Sequence, residues 1–454
     1  MEQPSIITTR EQAEAFLDAR IGAGVRPGLE RISGLLELMG NPHKAYPSIH
    51  IAGTNGKTTV ARMVQQILGA HGLATGGFTS PHLGSVEERF AIHGETVEPE
   101  EFTKAVADIA WFVERYETDT DTTVTYFEVT VALAFSMFAA RAVDAAVVEV
   151  GLGGRLDATN VVDADVSIVT GVDIDHTEYL GSTVVDIATE KMAILKQGGT
   201  LVTGPLPADA IGVAASRVEA ARANWIRHGF DFSVTDATLA VGGWRCSVAG
   251  VHGDYDGLYL PLHGRHQVEH LALSVASCEM LLGRELDHDA LVLAVESVTS
   301  PGRLEVVRRR PVVLLDGAHN AQGFRGLAAT IDDEFPAMEW RMVLGIRGER
   351  SVESLIAPLV GQVCKVYATA ANDESAIAPD VIAAAAADVL EVPAAAYERS
   401  EQALADAVAD AGVDGGVIVT GSLYLVGEVR HLFEVAVDAS AGAHLRFEPE
   451  VLDD

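Results

Sequence analysis

Ser48-Ile-His-Ile-Ala-Gly-Thr-Asn-Gly-Lys-Thr-Thr59 is the stretch that decides the fold. Ser48 to Ala52 is a short apolar run and reads as a buried strand. Gly53 and Gly56 follow, with Lys57 opening a helical pattern that continues through Val60-Ala-Arg-Met-Val-Gln-Gln-Ile-Leu68. A strand, a tight glycine turn and a helix N-terminus make a cradle for phosphate. Backbone N–H groups converge on an anion, the helix dipole favours it, and a lysine adds a full positive charge. The Thr58 hydroxyl is placed to hold Mg²⁺. The usual phosphate-loop pattern wants a further glycine at position 51, which is Ile here. The plain alternative is a glycine turn with an exposed lysine. A strand before the turn and a helix after it favour the nucleotide.

Bulk properties narrow the function classes. A chain of 454 residues suggests two or three domains. No segment reaches the ~18 unbroken apolar residues of a membrane span. The best candidate, Val129 to Ala140, is short and bounded by Glu128 and Arg141. Met1-Glu-Gln-Pro lacks the basic and apolar regions of a secretion signal, so a cytoplasmic protein is expected. Cys246, Cys278 and Cys364 are far apart, which implies neither a disulfide framework nor a thiolate zinc site. A net charge of −33 argues against nucleic-acid binding, which rests on basic surface. Lysine is scarce: Lys44, Lys57, Lys104, Lys191, Lys196 and Lys365 are the full set. A salt-rich habitat and a GC-biased genome both account for that.

Strand-like and helix-like patterns alternate from about residue 47 to 225. Strands are predicted at Ile49–Ala52, Ala145–Val150, Val166–Thr170 and Thr200–Thr203, with helices at 57–71, 100–116, 127–141 and 184–195. This is the signature of an α/β, doubly wound, mostly parallel sheet. Short strands punctuated by glycine, from 229 to 262, read as a β-hairpin side region, and a helix follows from His266 to Leu282. A break falls at Val298-Thr-Ser-Pro-Gly302. Beyond it alternation resumes, predicting a second, smaller Rossmann-like α/β domain. The expected domains are 1–297 and 298–437, followed by a loosely held tail over 438–454.

In such a sheet, ligands sit at the carboxyl ends of the strands. Lys57 and Thr58 follow the first strand, Glu149 ends the second, and Asp173-Ile-Asp-His176 follows the third. A hydroxyl, a carboxylate and an imidazole there can converge on one metal ion. Alternatively, His176 is an ordinary loop histidine and Glu149 pairs with Arg155.

At this point the residues carry a family resemblance. The chain resembles the folylpolyglutamate synthases and dihydrofolate synthases of the Mur ligase superfamily. The resemblance lies in His50-Ile-Ala-Gly-Thr-Asn-Gly-Lys-Thr58, Thr79-Ser-Pro-His-Leu83 with Glu88-Arg89, and Tyr126-Phe-Glu128. It continues through Glu149-Val-Gly-Leu-Gly-Gly-Arg-Leu-Asp-Ala-Thr-Asn160, Asp175-His176, Ile187-Ala-Thr-Glu-Lys191 and His266-Gln267. Pro301-Gly-Arg-Leu-Glu305, Asp316-Gly-Ala-His-Asn320 and Gly421-Ser-Leu-Tyr-Leu-Val-Gly427 complete it. The set is in family order and spans nearly the whole chain.

The resemblance implies an ATP-dependent ligase that joins L-glutamate to a folate or pteroate carboxylate through an acyl phosphate. The oligomeric state is not legible in the sequence; a monomer is the working expectation. The resemblance also implies two Mg²⁺ ions, held by Thr58, Glu149, His176 and a carbamylated Lys191. Gly53, Thr54, Asn55, Gly56, Lys57, Thr58, Thr59 and Asn160 would bind ATP. Arg303, Asp316 and His319 would close over it from the second domain. Lys57, Lys191 and His319 would be the catalytic side chains. Ser80, Pro81, His82, Arg89, Phe127 and Glu128 would form the pterin-side pocket, with Glu128 offering a carboxylate to the ring. Other readings are a different Mur-type amide ligase, or a phosphate-loop ATPase without ligase activity.

There are departures. His270 stands where the family often has an Asn near adenine, and Glu190-Lys-Met-Ala193 replaces Glu-Lys-Ala-Gly. Gly345-Ile-Arg-Gly-Glu-Arg350 replaces a Gly-x-x-x-Asp-Lys-Asp stretch, and Glu374-Ser-Ala376 replaces an Arg-Ala. The last two bear on the acceptor side.

Overall fold

The computed structural model describes residues 6–438 apart from Glu349. The tail beyond residue 438 lies outside the described residues, as does Glu349 of the departing 345–350 stretch. The chain divides into two compact units. One holds residues 1–240, 244–261 and 267–299; the other holds 300 onward with the short pieces 241–243 and 262–266.

Two helices, α1 (Arg10–Asp18) and α2 (Glu30–Leu38), precede β1 (Ser48–Ala52) and α3 (Lys57–Ala70). Then come β2 (Thr75–Phe78), β3 (Phe90–Ile92), β4 (Glu95–Thr96), α4 (Pro99–Thr120), α5 (Tyr126–Ala140) and β5 (Ala145–Glu149). The first unit's main sheet is completed by β6 (Val166–Val169), α6 (Thr177–Leu180), α7 (Val184–Met192), β7 (Thr200–Thr203), α8 (Ala208–Ala221) and β8 (Asn224–Arg227). The strand order is β4-β3-β2-β5-β1-β6-β7-β8. From β2 to β8 every pairing is parallel; only β2–β3 and β3–β4 are antiparallel.

β1 lies inside this sheet, paired with β5 and β6, and all five of its residues are buried. That is why Ser48 to Ala52 reads as an apolar run rather than an alternating one. In α3 the buried set Val60, Ala61, Met63, Val64, Ile67 and Leu68 follows helical spacing. α5 is buried nearly all round, so the apolar run at 129–140 is a core helix. No described helix is long and apolar enough to cross a membrane.

Next come β9 (Ser233–Ala240), β10 (Gly243–Ala249) and β11 (Asp254–Leu260), which form a three-stranded sheet, the expected hairpin region. Helices α9 (His266–Leu282) and α10 (His288–Glu296) follow. α9 packs on α3, where the Ser274 hydroxyl meets the Met63 sulfur at 3.7 Å.

The second unit begins with β12 (Glu305–Arg309), β13 (Val312–Leu315), α11 (Ala321–Glu334), β14 (Trp340–Leu344) and α12 (Val352–Ile356). It continues with β15 (Val363–Ala368), α13 (Pro379–Leu390), β16 (Ala394–Ala396), α14 (Ser400–Ala411), β17 (Gly416–Thr420) and α15 (Leu423–Asp438). Its strand order is β12-β13-β17-β14-β15-β16, parallel except for β12. Both units therefore carry the expected α/β, mostly parallel design.

Candidate active site

The turn after β1 is built for close approach. Gly56 caps α3 with φ +81°, and a Cβ there would lie 2.3 Å from His270 Nε2. Gly53 has φ +154°, and a Cβ would lie 1.9 Å from the Thr170 hydroxyl. Only glycine fits either position. The chain after β6 clamps the loop from outside. The Thr170 hydroxyl donates to the Asn55 carbonyl at 2.6 Å, and the Thr54 hydroxyl donates to the Asp173 carbonyl at 3.1 Å.

Two lysines meet on this loop. Lys57 Nζ donates to the Gly53 carbonyl at 3.0 Å and to the Thr54 carbonyl at 3.4 Å. Lys191, from the last turn of α7, donates to the same Gly53 carbonyl at 3.0 Å. Lys191 is buried. Burial, reinforced by the Lys57 charge, brings its ammonium down to about 7, against the pull of Asp175, Asp157 and Glu190. Lys57, Lys191, His176, Asp175 and the Gly151–Gly153 loop line one cleft.

Beside it, the Thr58 hydroxyl donates to both oxygens of Glu149, at 2.9 and 3.0 Å. Glu149 also accepts the Ser80 backbone N–H at 3.1 Å. Glu149 does not pair with Arg155, whose guanidinium goes to Glu190 at 2.9 Å. Thr58 and Glu149 thus form a hard-oxygen donor pair of the kind Mg²⁺ takes. Among the described residues no three His, Cys, Asp or Glu side chains gather as a metal cluster. His176, with φ +50°, is half-buried in the cleft, its ring 3.8 Å from Asp175 and 3.9 Å from Glu178.

The loop between β2 and β3 supplies a second cluster. Arg89 Nε donates to His82 Nδ1 at 2.9 Å, and its guanidinium lies 5.4 Å from the centre of the Tyr126 ring. Burial and Arg89 together bring the His82 imidazole down to about 4. Phe127 packs over Gly151, where a Cβ would meet its ring at 2.5 Å. Its ring centre also lies 6.0 Å from that of Phe78. Phe127 therefore covers the loop that lines the lysine cleft. Pro81 follows Ser80 across a cis peptide and is exposed.

Two expected ligands have their polar atoms engaged elsewhere. Glu128 closes a capping box at the start of α5, accepting the Thr125 N–H at 2.8 Å. Both its oxygens also accept Arg31 Nε, at 3.0 and 3.2 Å. The carboxylate expected to face a flat ring is satisfied by the fold instead. Asn160 donates to the Arg155 carbonyl at 3.1 Å and accepts Lys196 at 3.0 Å. Its amide thus ties residues 155–160 to the connection between α7 and β7, and Thr59 is buried in α3.

In the second unit, Arg303, Asp316 and His319 lie together around Gly317. A Cβ on Gly317 would meet Arg303 Nη1 at 2.7 Å, and the His319 ring meets the Gly317 carbonyl at 2.7 Å. Asp316 accepts the Leu304 and Ala318 N–H groups, each at 3.0 Å. Burial pushes its carboxyl up to about 6, with Arg303 and these N–H groups opposing.

Sequence reasoning gave no role to Arg31 or Asp157. Asp157 accepts the Leu152 and Thr159 N–H groups at 2.9 and 3.0 Å and so shapes the Gly151–Gly153 wall. The spacing Thr125-x-x-Glu128 is a capping-box signal that marks Glu128 as structural. Nothing in the sequence pairs it with Arg31.

Known proteins carry the same organisation. The Mur ligase middle domain family matches residues 51–278, and the Mur ligase glutamate ligase domain family matches 302–423. The dihydrofolate synthase/folylpolyglutamate synthase of Mycobacterium tuberculosis is 37% identical over 95% of each chain. The Escherichia coli protein of the same name is 30% identical over 90% of this chain and 91% of its own. The Mycobacterium tuberculosis folylpolyglutamate synthase complexed with ADP and AMPPCP superposes with a TM-score of 0.88 at 38% identity, covering 93% of this chain and 98% of that one. Escherichia coli FolC in complex with DHPP and ADP gives 0.84 at 27% identity, covering 95% and 99%. The chain belongs to the folylpolyglutamate synthase/dihydrofolate synthase family of ATP-dependent glutamate ligases, within the Mur ligases.

Proposed function

We propose that this chain adds glutamate both to a dihydropteroate-type acid and to reduced folates. The relatives that carry both activities in one name support this. The observation that carries the chemistry is the Thr58–Glu149 pair beside the two lysines on Gly53.

A carboxylate is a poor electrophile, so it must first take the γ-phosphoryl group of ATP to become an acyl phosphate. The amine of L-glutamate then attacks, phosphate leaves, and an amide remains. Protein chemistry here is positioning and neutralisation of charge. Lys57 offsets negative charge on the moving phosphoryl group. Thr58 and Glu149, with His176 nearby, are assigned to hold Mg²⁺. When bound, that ion would neutralise phosphate oxygens and polarise the transferred group.

Lys191 is assigned to a second ion. An ammonium cannot be a ligand, but an ε-amine with its pKa near 7 is substantially neutral at physiological pH. Such an amine can add CO₂ and lose a proton, which makes it an anionic oxygen donor. His82, Arg89 and Phe127 are assigned to the acid substrate, with Phe127 as the aromatic face. Arg303, Asp316 and His319 are assigned to ATP on family resemblance.

The test is a substrate panel. Dihydropteroate, tetrahydrofolate and a UDP-muramyl acid are each incubated with ATP, Mg²⁺ and L-glutamate. ADP release that needs both the folate-type acid and glutamate is expected, with a product heavier by one glutamyl unit. Ligation of the muramyl acid alone would overturn the folate assignment and leave a Mur-type ligase.

A further inference from the structure

We propose that Arg31 is a positioning residue for the acid-substrate pocket, acting through Glu128 to hold Phe127 in place. The identity of the acid rests on the function proposed above; the positioning rests on geometry alone. Arg31, at the second residue of α2, meets Glu128 in a nearly buried pair, with the two side chains 14% and 4% exposed. Its Nη2 donates to the Arg26 carbonyl. One guanidinium therefore ties residues 26–31 to the first turn of α5. Two further bonds hold the same segment: Arg26 Nη1 donates to the Thr123 carbonyl at 3.3 Å, and the Gly28 N–H donates to the Leu156 carbonyl at 3.4 Å. Residues 24–27 are exposed, so polar bonds fix that part of the strap, while Leu29 beyond it packs against the core.

Both ends of the strap reach the walls of the pocket. Thr123 to Glu128 carries Phe127, and Leu156 belongs to the loop whose Gly151 Phe127 covers. Phe127 is one residue from Glu128, so the direction of its ring is set by the turn that Glu128 closes. Without Arg31 the carboxylate keeps only its capping bonds, and the strap loses its central tie. Lys57, Thr58 and Glu149 are held by a separate set of bonds. The effect should therefore fall on the acid and not on ATP.

Arg31→Ala and Arg31→Lys in the full chain test this in two ways. The first is hydrogen exchange without substrate. Faster exchange in 123–130 and in 24–28 is expected, with α3 unchanged. The second is steady-state kinetics with dihydropteroate, ATP and glutamate. Arg31→Ala should raise KM for the acid by about tenfold, inside the ~10²-fold that a 1 Å misplacement can cost, and leave KM for ATP unchanged. Arg31→Lys, a point charge in place of the guanidinium, should fall between Ala and the native chain. If Arg31→Ala does not fold, Arg31→Lys carries the same comparison. Equal rises in both KM values, or unchanged exchange in 123–130, would overturn the proposal. If the native chain ligates no folate-type acid, the proposed function fails, while exchange alone still decides the positioning.

Discussion

Lys191 and Glu128 are buried almost equally, 5% and 3% exposed, yet their surroundings treat charge in opposite ways. Glu128 meets a guanidinium and a backbone N–H, so its charge is compensated. Lys191 shares one carbonyl with a second lysine, and its charge is disfavoured. A fold that hides a charge for structure supplies its partners from within. A site that hides a charge for chemistry leaves the account open for a ligand to close.

Breaking the compensated side should cost the most stability. Glu128→Ala leaves Arg31 facing a nearly buried gap, and loss of one partner of such a pair typically costs ~3–5 kcal/mol. Urea unfolding reads this directly, and a loss within error of zero would mean that the pair is solvent-screened. Breaking the uncompensated side should instead cost rate. Lys57→Ala should lower turnover by ~10²–10³-fold, about 3–4 kcal/mol, with the fold intact by circular dichroism. Near-normal turnover would remove Lys57 from the phosphate loop.

Lys191→Met sharpens the contrast. It should abolish ligation yet leave unfolding free energy unchanged or raised, because an apolar chain of similar length replaces a disfavoured charge. The pH dependence carries the same sign. The folded pKa near 7 lies below the ordinary lysine value of 10.5, so between these the unfolded chain holds a proton that the folded chain has released. Stability from this group therefore rises with pH across that window, and the penalty is complete below it. The difference between native chain and Lys191→Met, measured at pH 7 and pH 9, should show that slope.

The smallest effect belongs to Asp316, raised from 3.8 to about 6. Here the folded chain keeps a proton that the unfolded chain loses, so stability falls as pH climbs through that range and is level above it. Asp316→Asn should remove the fall. An unchanged pH profile would mean that Arg303 and the backbone N–H groups fully offset burial.

Much of this was legible in the sequence where the signal is local. β1, α3 and α9 follow from apolar runs and helical spacing. β2 was hidden because two of the four residues in Thr75-Gly-Gly-Phe78 are glycines, which are depleted in strands. Its glycines are required: a Cβ on Gly76 would lie 2.5 Å from Phe138, and one on Gly77 would lie 1.9 Å from Gln65. The site residues at strand ends were readable from topology. The engagement of Glu128 by Arg31, and of Asn160 by Lys196, was not, because those partners lie 97 and 36 residues away.

The net charge of −33 bears on the speed of nucleotide capture. Lys57 and Lys191 are drawn in against the Gly53 carbonyl, so the approach to the cleft is governed by the field of the whole molecule. That field repels a polyphosphate. In dilute buffer it extends ~30 Å, but at 0.15 M ionic strength only ~8 Å. Nucleotide association should therefore accelerate as salt is added, the reverse of ordinary electrostatic steering.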